Sequence, residues 1–244
     1  MKKKIYIPKK NIIKNKIIVL IDSSNKINII NQLINMNSHV ILLDQNTSYL
    51  NYIKKNKYLH VYPLDSKKYN YNNLLILKNI IEKKFKYIDS IIFNSTKIGP
   101  ICPIEKFPIF EWTDIINTNL NNTFLTIKLL LPLLKKSKNP TIIFTIYSKK
   151  SVSKAYWGAY ACSNSGIITL MNILNDEYSN NYNIKINSIC VDKIKTSNRE
   201  QIYPYENTDK LYNINDIINN YIFLLDDKNN IKNKIIIPKK NIYL

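Results

Sequence analysis

Small residues are almost missing. The chain has 244 residues, of which only three are glycine and three alanine. Five of those six stand at positions 155–166: Ala155, Gly158, Ala159, Ala161 and Gly166. A chain this poor in small residues keeps them where a side chain would not fit. Close approach of a cofactor or of another helix would be the reason.

Other scarcities narrow the function. Arg199 is the only arginine. That argues against specific nucleic-acid recognition, which leans on bidentate arginine contacts. The two histidines, His39 and His60, leave no His-rich metal site. Three cysteines, Cys102, Cys162 and Cys190, are odd in number and widely spaced. They form neither a disulfide framework nor a metal motif, and fit a reducing cytoplasm. No apolar run approaches the length needed to span a bilayer. The basic start Met1-Lys2-Lys3-Lys4 leads into no apolar stretch, so a signal peptide is not expected. The expected location is cytoplasmic, with no metal, no membrane partner and no specific nucleic acid.

What is abundant is isoleucine, asparagine, lysine and tyrosine, all with A/T-rich codons. The formal net charge of +19 follows from this skew. The lysines are spread along the chain, so the charge implies only salt-sensitive attraction to polyanions.

Apolar runs and helical periodicities alternate strictly. Residues 16–21, 39–43, 58–62, 87–93, 141–146, 184–190 and 234–237 read as strands. Their β-branched, near-continuous character is that of buried parallel strands. Helical spacing marks 27–36, 74–85, 113–134, 158–178 and 214–225, with Thr113 and Asp114 as a candidate cap for the third. The stretch 97–108, rich in proline and holding Gly99, reads as a loop, as does 192–213. The fold class expected is α/β: a doubly wound, Rossmann-type parallel sheet of about seven strands flanked by helices, in one domain over 1–244.

With the strands placed, four segments resemble the short-chain dehydrogenase/reductase family, and within it the bacterial YciK-type oxidoreductases. They are Ile88-Asp-Ser-Ile-Ile-Phe-Asn-Ser-Thr-Lys-Ile-Gly-Pro, Thr118-Asn-Leu-Asn-Asn-Thr-Phe, Trp157-Gly-Ala-Tyr-Ala-Cys-Ser and Asn175-Asp-Glu-Tyr. The resemblance implies an oxidoreductase acting on a carbonyl or alcohol with NAD or NADP. It also implies a homo-oligomer, in which the helix after the active-site tyrosine packs on a partner copy through Ala161, Ser163, Ser165 and Gly166.

The family's tyrosine falls on Tyr160 and its helix asparagine on Asn119. The lysine four positions after the tyrosine is replaced by Asn164. The serine thirteen before it falls on Tyr147, with Ser148 one place along. A phenol's ordinary pKa is near ~10, so without an adjacent cation Tyr160 is a weak base and a better proton donor. Lys149, Lys150 and Lys154 are the substitute cations nearest in sequence.

The family's glycine loop after the first strand reads Asp22-Ser-Ser-Asn-Lys-Ile-Asn28, with no glycine. Ser24 and Lys26 are the residues there that can still meet a diphosphate. Asp44 and Asp65, at strand ends, are candidate adenosine contacts, and Asn94 keeps the first position of the family's Asn-Ala-Gly. An acid at Asp44 favours NAD over NADP. Two readings stay open: an oxidoreductase of weakened activity, or a non-catalytic descendant kept for oligomerisation or partner binding.

Overall fold

The computed structural model describes residues 6–21, 27–44, 56–64, 69–94, 96–148, 152–192, 194–195 and 197–238. Seven strands form one sheet in the order β3-β2-β1-β4-β5-β6-β7. They are β1 (Ile17–Ile21), β2 (His39–Asp44), β3 (Leu59–Pro63), β4 (Ser90–Phe93), β5 (Thr141–Ile146), β6 (Lys185–Cys190) and β7 (Ile235–Ile236). Every pairing is parallel. The strand order turns back between β1 and β4. That switch point opens a crevice at the carboxyl ends of the strands, where ligands of such sheets bind.

The strands lack polar alternation because both faces are covered. On one face Ile18, Leu20, Val40, Leu42, Ile143 and Ile189 pack under helices α1 (Ile27–Asn35) and, through Ile217, Tyr221 and Leu224, the last helix. On the other, Val19, Ile41, Ile91, Ile142 and Ile186 meet α2 (Tyr71–Phe85), α4 (Asn122–Leu134) and α5 (Gly158–Tyr178). Each fully buried isoleucine or leucine contributes about 1.5–3 kcal/mol over an exposed one. These two layers carry most of the stability and fix the strand ends in space.

The third predicted helix differs from expectation at its start. Helix α3 runs Ile109–Ile116, and Trp112 N donates to the Pro108 carbonyl. Thr113 therefore lies inside the helix, where its Oγ1 donates to the Ile109 carbonyl, and Asp114 pairs with Lys97. They do not cap it. A π-helical turn, Asn117–Asn121, then joins α3 to α4. Such turns occur where an extra residue is accommodated, often at functional sites. The loop expected over 192–213 also contains helix α6 (Ser197–Ile202) and a 3-10 turn at Thr208–Lys210 before α7 (Ile214–Leu225).

The glycines serve packing within the chain. A Cβ on Gly166 would lie 2.8 Å from Leu120 Cδ2, so the glycine lets α5 close on the π turn. The space that Gly166 leaves is thus taken up inside the chain by Leu120. Gly99 has φ +80°, and a Cβ there would run into Ile115 Cδ1.

Candidate active site

Asp44, Asn94, Tyr147 and Val191 stand at or just beyond the carboxyl ends of β2, β4, β5 and β6. Tyr160 joins them from the first turn of α5. It is 1% exposed, and its hydroxyl has no hydrogen-bond partner among the described residues. Its ring meets Tyr147 edge-on at 5.8 Å and Trp157 at 5.7 Å. Burial, reinforced by Tyr147, Asp192 and Cys190, holds its pKa well above the ordinary phenol value. The phenol keeps its proton throughout the neutral range.

Asn119 sits in the π turn and bridges three segments. Lys97 N donates to its Oδ1 at 2.8 Å; its Nδ2 donates to the Lys97 carbonyl at 2.9 Å and to Ser163 Oγ at 3.0 Å. Ser163 Oγ in turn donates to the Tyr160 carbonyl at 2.9 Å. Asn119 thus holds the first turn of α5 through Ser163. Tyr160, Asn119 and Asn164 line one small cavity between β4, β5, α4 and α5, together with Phe93, Phe144 and Ser163. Its volume of about 20 Å³ suits a single water.

At the lysine position Asn164 is buried and turned to the end of β5. Its Oδ1 accepts from Tyr147 N at 3.0 Å, and its Nδ2 donates to the Tyr147 carbonyl at 2.8 Å. An amide can satisfy both backbone groups at once; an ammonium has no acceptor to offer. The side chain that would steady a ribose in the family steadies a strand end here.

Ser148 follows Tyr147 and faces Asp192 beyond β6. Its N–H donates to Asp192 Oδ1 at 2.7 Å, and its Oγ–H donates to Asp192 Oδ2. Arg199 on α6 donates to the Asp192 carbonyl and grips Glu206 with two bonds, at 2.5 and 2.6 Å. Its guanidinium also lies 5.0 Å from the Tyr203 ring. Tyr203, the residue after α6, lies 6.4 Å from Trp157 and extends the aromatic wall around Tyr160. Neither Asp192 nor Arg199 was singled out as a site residue from sequence. Arg199's uniqueness was the available signal.

Of the cofactor candidates, Asp44 and Asn94 are buried, 2% and 1% exposed. Ser24, Lys26 and Asp65 lie outside the described residues, as do Asp22, Lys149 and Lys150. Lys154 is exposed. Among the described residues no group of three or more His, Cys, Asp or Glu is placed to hold a metal. None of their helices is long and apolar enough to cross a membrane.

Residues 27–207 match the short chain dehydrogenase family. The chain belongs to that family. The chain is 32% identical over 147 residues to an uncharacterised oxidoreductase of Escherichia coli K12, YciK. That match covers 60% of this chain and 58% of YciK, so it spans little more than half of the relative's length. The crystal structure of E. coli yciK superposes with a TM-score of 0.82 at 25% identity, covering 97% of this chain and 99% of that one. A short chain dehydrogenase from Shigella flexneri 2a complexed with NADP gives 0.83 at 25% identity, covering 94% and 99%. The family's parallel sheet flanked by helices is thus present here.

Proposed function

We propose that the chain is a short-chain reductase of weakened activity, reducing a carbonyl with a nicotinamide cofactor while Tyr160 delivers the proton. The observation that carries this reading is the Tyr160 hydroxyl: buried, still protonated and without a partner, at the carboxyl edge of a parallel sheet. Buried polar groups are nearly always paired, so an unpartnered one calls for an explanation, and a ligand oxygen supplies it.

In this reading the described residues suit a nicotinamide cofactor at its adenosine end only. Asp44 ends β2, where the adenosine ribose would lie, and Asn94 follows β4 at the switch point. The nicotinamide end is not matched, because Asn164 is committed to the Tyr147 backbone and carries no charge. When bound, the cofactor would supply the hydride. The chain's own part is to hold Tyr160 through Asn119 and Ser163 and to release its proton to the substrate oxygen. With no cation at the lysine position and the Asp192 carboxylate nearby, Tyr160 is a proton donor but a poor base. Reduction is therefore favoured over alcohol oxidation. Because the hydroxyl is sealed, the aromatic wall around Tyr160 must open to admit a substrate. The related S. flexneri structure holds NADP, whereas Asp44 here disfavours a 2′-phosphate, so either cofactor is a candidate, with NAD the one its acid suits.

The second reading, a non-catalytic descendant, draws on the same clamp: Asn164 and Tyr147 now support each other instead of a ribose. In either reading we propose a homo-oligomer. Phe124 on α4 and Ile173 on α5 are 50% and 47% exposed, apolar side chains that a second copy would cover. Titration of the purified protein with NADH and NADPH by calorimetry separates the readings. Binding followed by carbonyl reduction supports the enzyme; no binding at millimolar cofactor rejects it. Sedimentation as a monomer would reject the oligomer.

A further inference from the structure

The two histidines of the chain meet at the amino edge of the sheet. Alternation puts His39 and Ile41 on one face of β2, and His60 is the β3 partner of Ile41. Both rings therefore stand on the face that α2 covers. His39 Nδ1 lies 3.3 Å from His60 Nε2, with the ring planes 18° apart and the centroids at 5.6 Å. The centroids are farther apart than the nitrogens by about the width of a ring. The rings thus lie edge to edge in nearly one plane, nitrogen pointing at nitrogen. Lys84, in the last turn of α2, closes the row with its Nζ 2.9 Å from His60 Nδ1. An ammonium donates and never accepts, and a neutral imidazole carries one proton. Lys84 therefore donates to a bare His60 Nδ1. The His60 proton sits on Nε2 and points at His39 Nδ1, and the His39 proton sits on its own Nε2. Tyr58 and Phe85 pack edge-on against His39, and Phe85 against His60. Among the described residues, the charges acting on the rings are those of Lys84 and of Lys57, in the turn before β3. The one acid of α2, Glu82, is committed to Lys78 and Lys136 at 2.5 and 2.8 Å.

We propose that His39, His60 and Lys84 form a proton switch, in which uptake of one proton by the histidine pair ejects Lys84 and unties the last turn of α2 from the edge strand β3. The row has room for one arrangement of protons only. A proton taken from solvent ends on His60 Nδ1, the one ring nitrogen that is bare and not already facing an N–H of the other ring. The bond between the rings survives, with the added charge on either of them. Lys84 then faces an N–H instead of a lone pair and has to leave. Its side chain is exposed, so water is open to it. The body of α2 stays in place, because Leu74, Leu77 and Ile81 are buried in the core. Only its C-terminal turn is released. Burial and the nearby cations hold both histidines below the ordinary value, with His60 at about 4. An unfolded chain therefore takes up its protons first as the pH falls. The tie contributes stability at neutral pH that is lost as the pH drops from about 6.5 toward 4. The switch lies at the opposite edge of the sheet from Tyr160 and is independent of the reductase reading.

Nitrogen NMR of the histidine rings in the full chain, titrated from about pH 8 to about pH 4, reads the switch directly. At neutral pH His60 Nδ1 should be bare. On acidification it should gain a proton in step with faster hydrogen exchange at the Phe85 and Lys86 amides. Lys84→Met removes the competing donor, and the pair should then take up its proton at a pH higher by about one pH unit. The rise should persist in high salt, which screens a surface charge but not a contact. Lys83→Met removes a charge from the same turn without touching the row, and should leave the midpoint close to that of the parent. Both lysines are exposed, so neither variant threatens the fold. A protonated His60 Nδ1 at neutral pH would overturn the proposal. So would equal shifts in Lys83→Met and Lys84→Met, which would leave only the effect of net charge. Proton uptake with no change in exchange at Phe85 and Lys86 would overturn the release of the turn.

Discussion

Lys185 and Tyr160 are both buried polar side chains, at opposite edges of the same sheet. Lys185 opens β6 at the amino edge, where its Nζ donates to the carbonyls of Asp226 and Asn229 at 3.0 and 2.9 Å. Tyr160 faces the carboxyl edge and donates to nothing. Other amino-edge side chains are paired too, although Ser90 Oγ at the start of β4 is buried without a partner among the described residues. Lys16 pairs with Asp227 at 2.5 Å, and Ile17 N donates to Asp89 Oδ2 at 2.9 Å. His39 and His60 lie with ring nitrogens 3.3 Å apart, and Lys84 reaches His60 Nδ1 at 2.9 Å. Burial, with Lys84 and His39, holds the His60 pKa down to about 4, so this cluster stays neutral in its rings. A paired buried group holds the chain together. An unpaired one destabilises the fold unless something binds there.

This contrast sets the size of the expected effects. Lys185→Ala should be the most damaging change, because it leaves two carbonyls without a donor and opens a cavity. A loss of about 3–4 kcal/mol in denaturant unfolding is expected. A loss below about 1 kcal/mol would mean that the amino edge is no more committed than the carboxyl edge.

The pH dependence sharpens the same point. Burial, with Lys16, lowers the Lys185 pKa to about 8. Between about pH 8 and the ordinary lysine value near ~10.4, the unfolded chain keeps a proton that the folded chain has released. Stability should therefore rise with pH through that window, by about 2–3 kcal/mol from this group. Lys185→Met should lack that rise when the two proteins are unfolded in parallel across the window. Parallel curves would place Lys185 in solvent.

Asn164→Ala removes both side-chain bonds to the Tyr147 backbone and should cost about 2 kcal/mol. Asn164→Lys is the more telling variant. A lysine cannot accept from Tyr147 N, so stability should fall even though the family's residue has been restored. Unchanged melting would show that the clamp contributes nothing. The smallest effect belongs to Tyr160→Phe. It deletes an unpartnered buried hydroxyl, so stability should stay within about 0.5 kcal/mol of the parent or rise. A loss of more than about 1 kcal/mol would reveal a hidden partner and remove the contrast.

The architecture was legible because burial on both faces writes itself as unbroken Ile, Val and Leu runs, separated by helical periodicity. Tyr160 was legible because its neighbours, Trp157, Gly158, Ala159 and Ala161, include scarce small residues. Asn119 was identified, but its work was not. Its partners Lys97 and Ser163 lie 22 and 44 residues away, and no periodicity links such positions. The Ser148–Asp192 bond likewise spans 44 residues across two strand ends. The start of α3 was missed because 109–112 lies beside a proline-rich loop, and Pro108 supplies the first carbonyl by its backbone alone. The contact of Gly166 with Leu120 was not legible, because a missing side chain does not say which neighbour fills its place.

The central claim is that Tyr160 is kept as the proton donor of a weakened reductase. The most direct test is NAD(P)H-dependent carbonyl reduction by the parent chain and by Tyr160→Phe, with cofactor affinity measured for both. The account predicts slow turnover in the parent, its loss in Tyr160→Phe, and cofactor binding within about twofold between them. Equal turnover in the two proteins, or no cofactor binding by either, would contradict it.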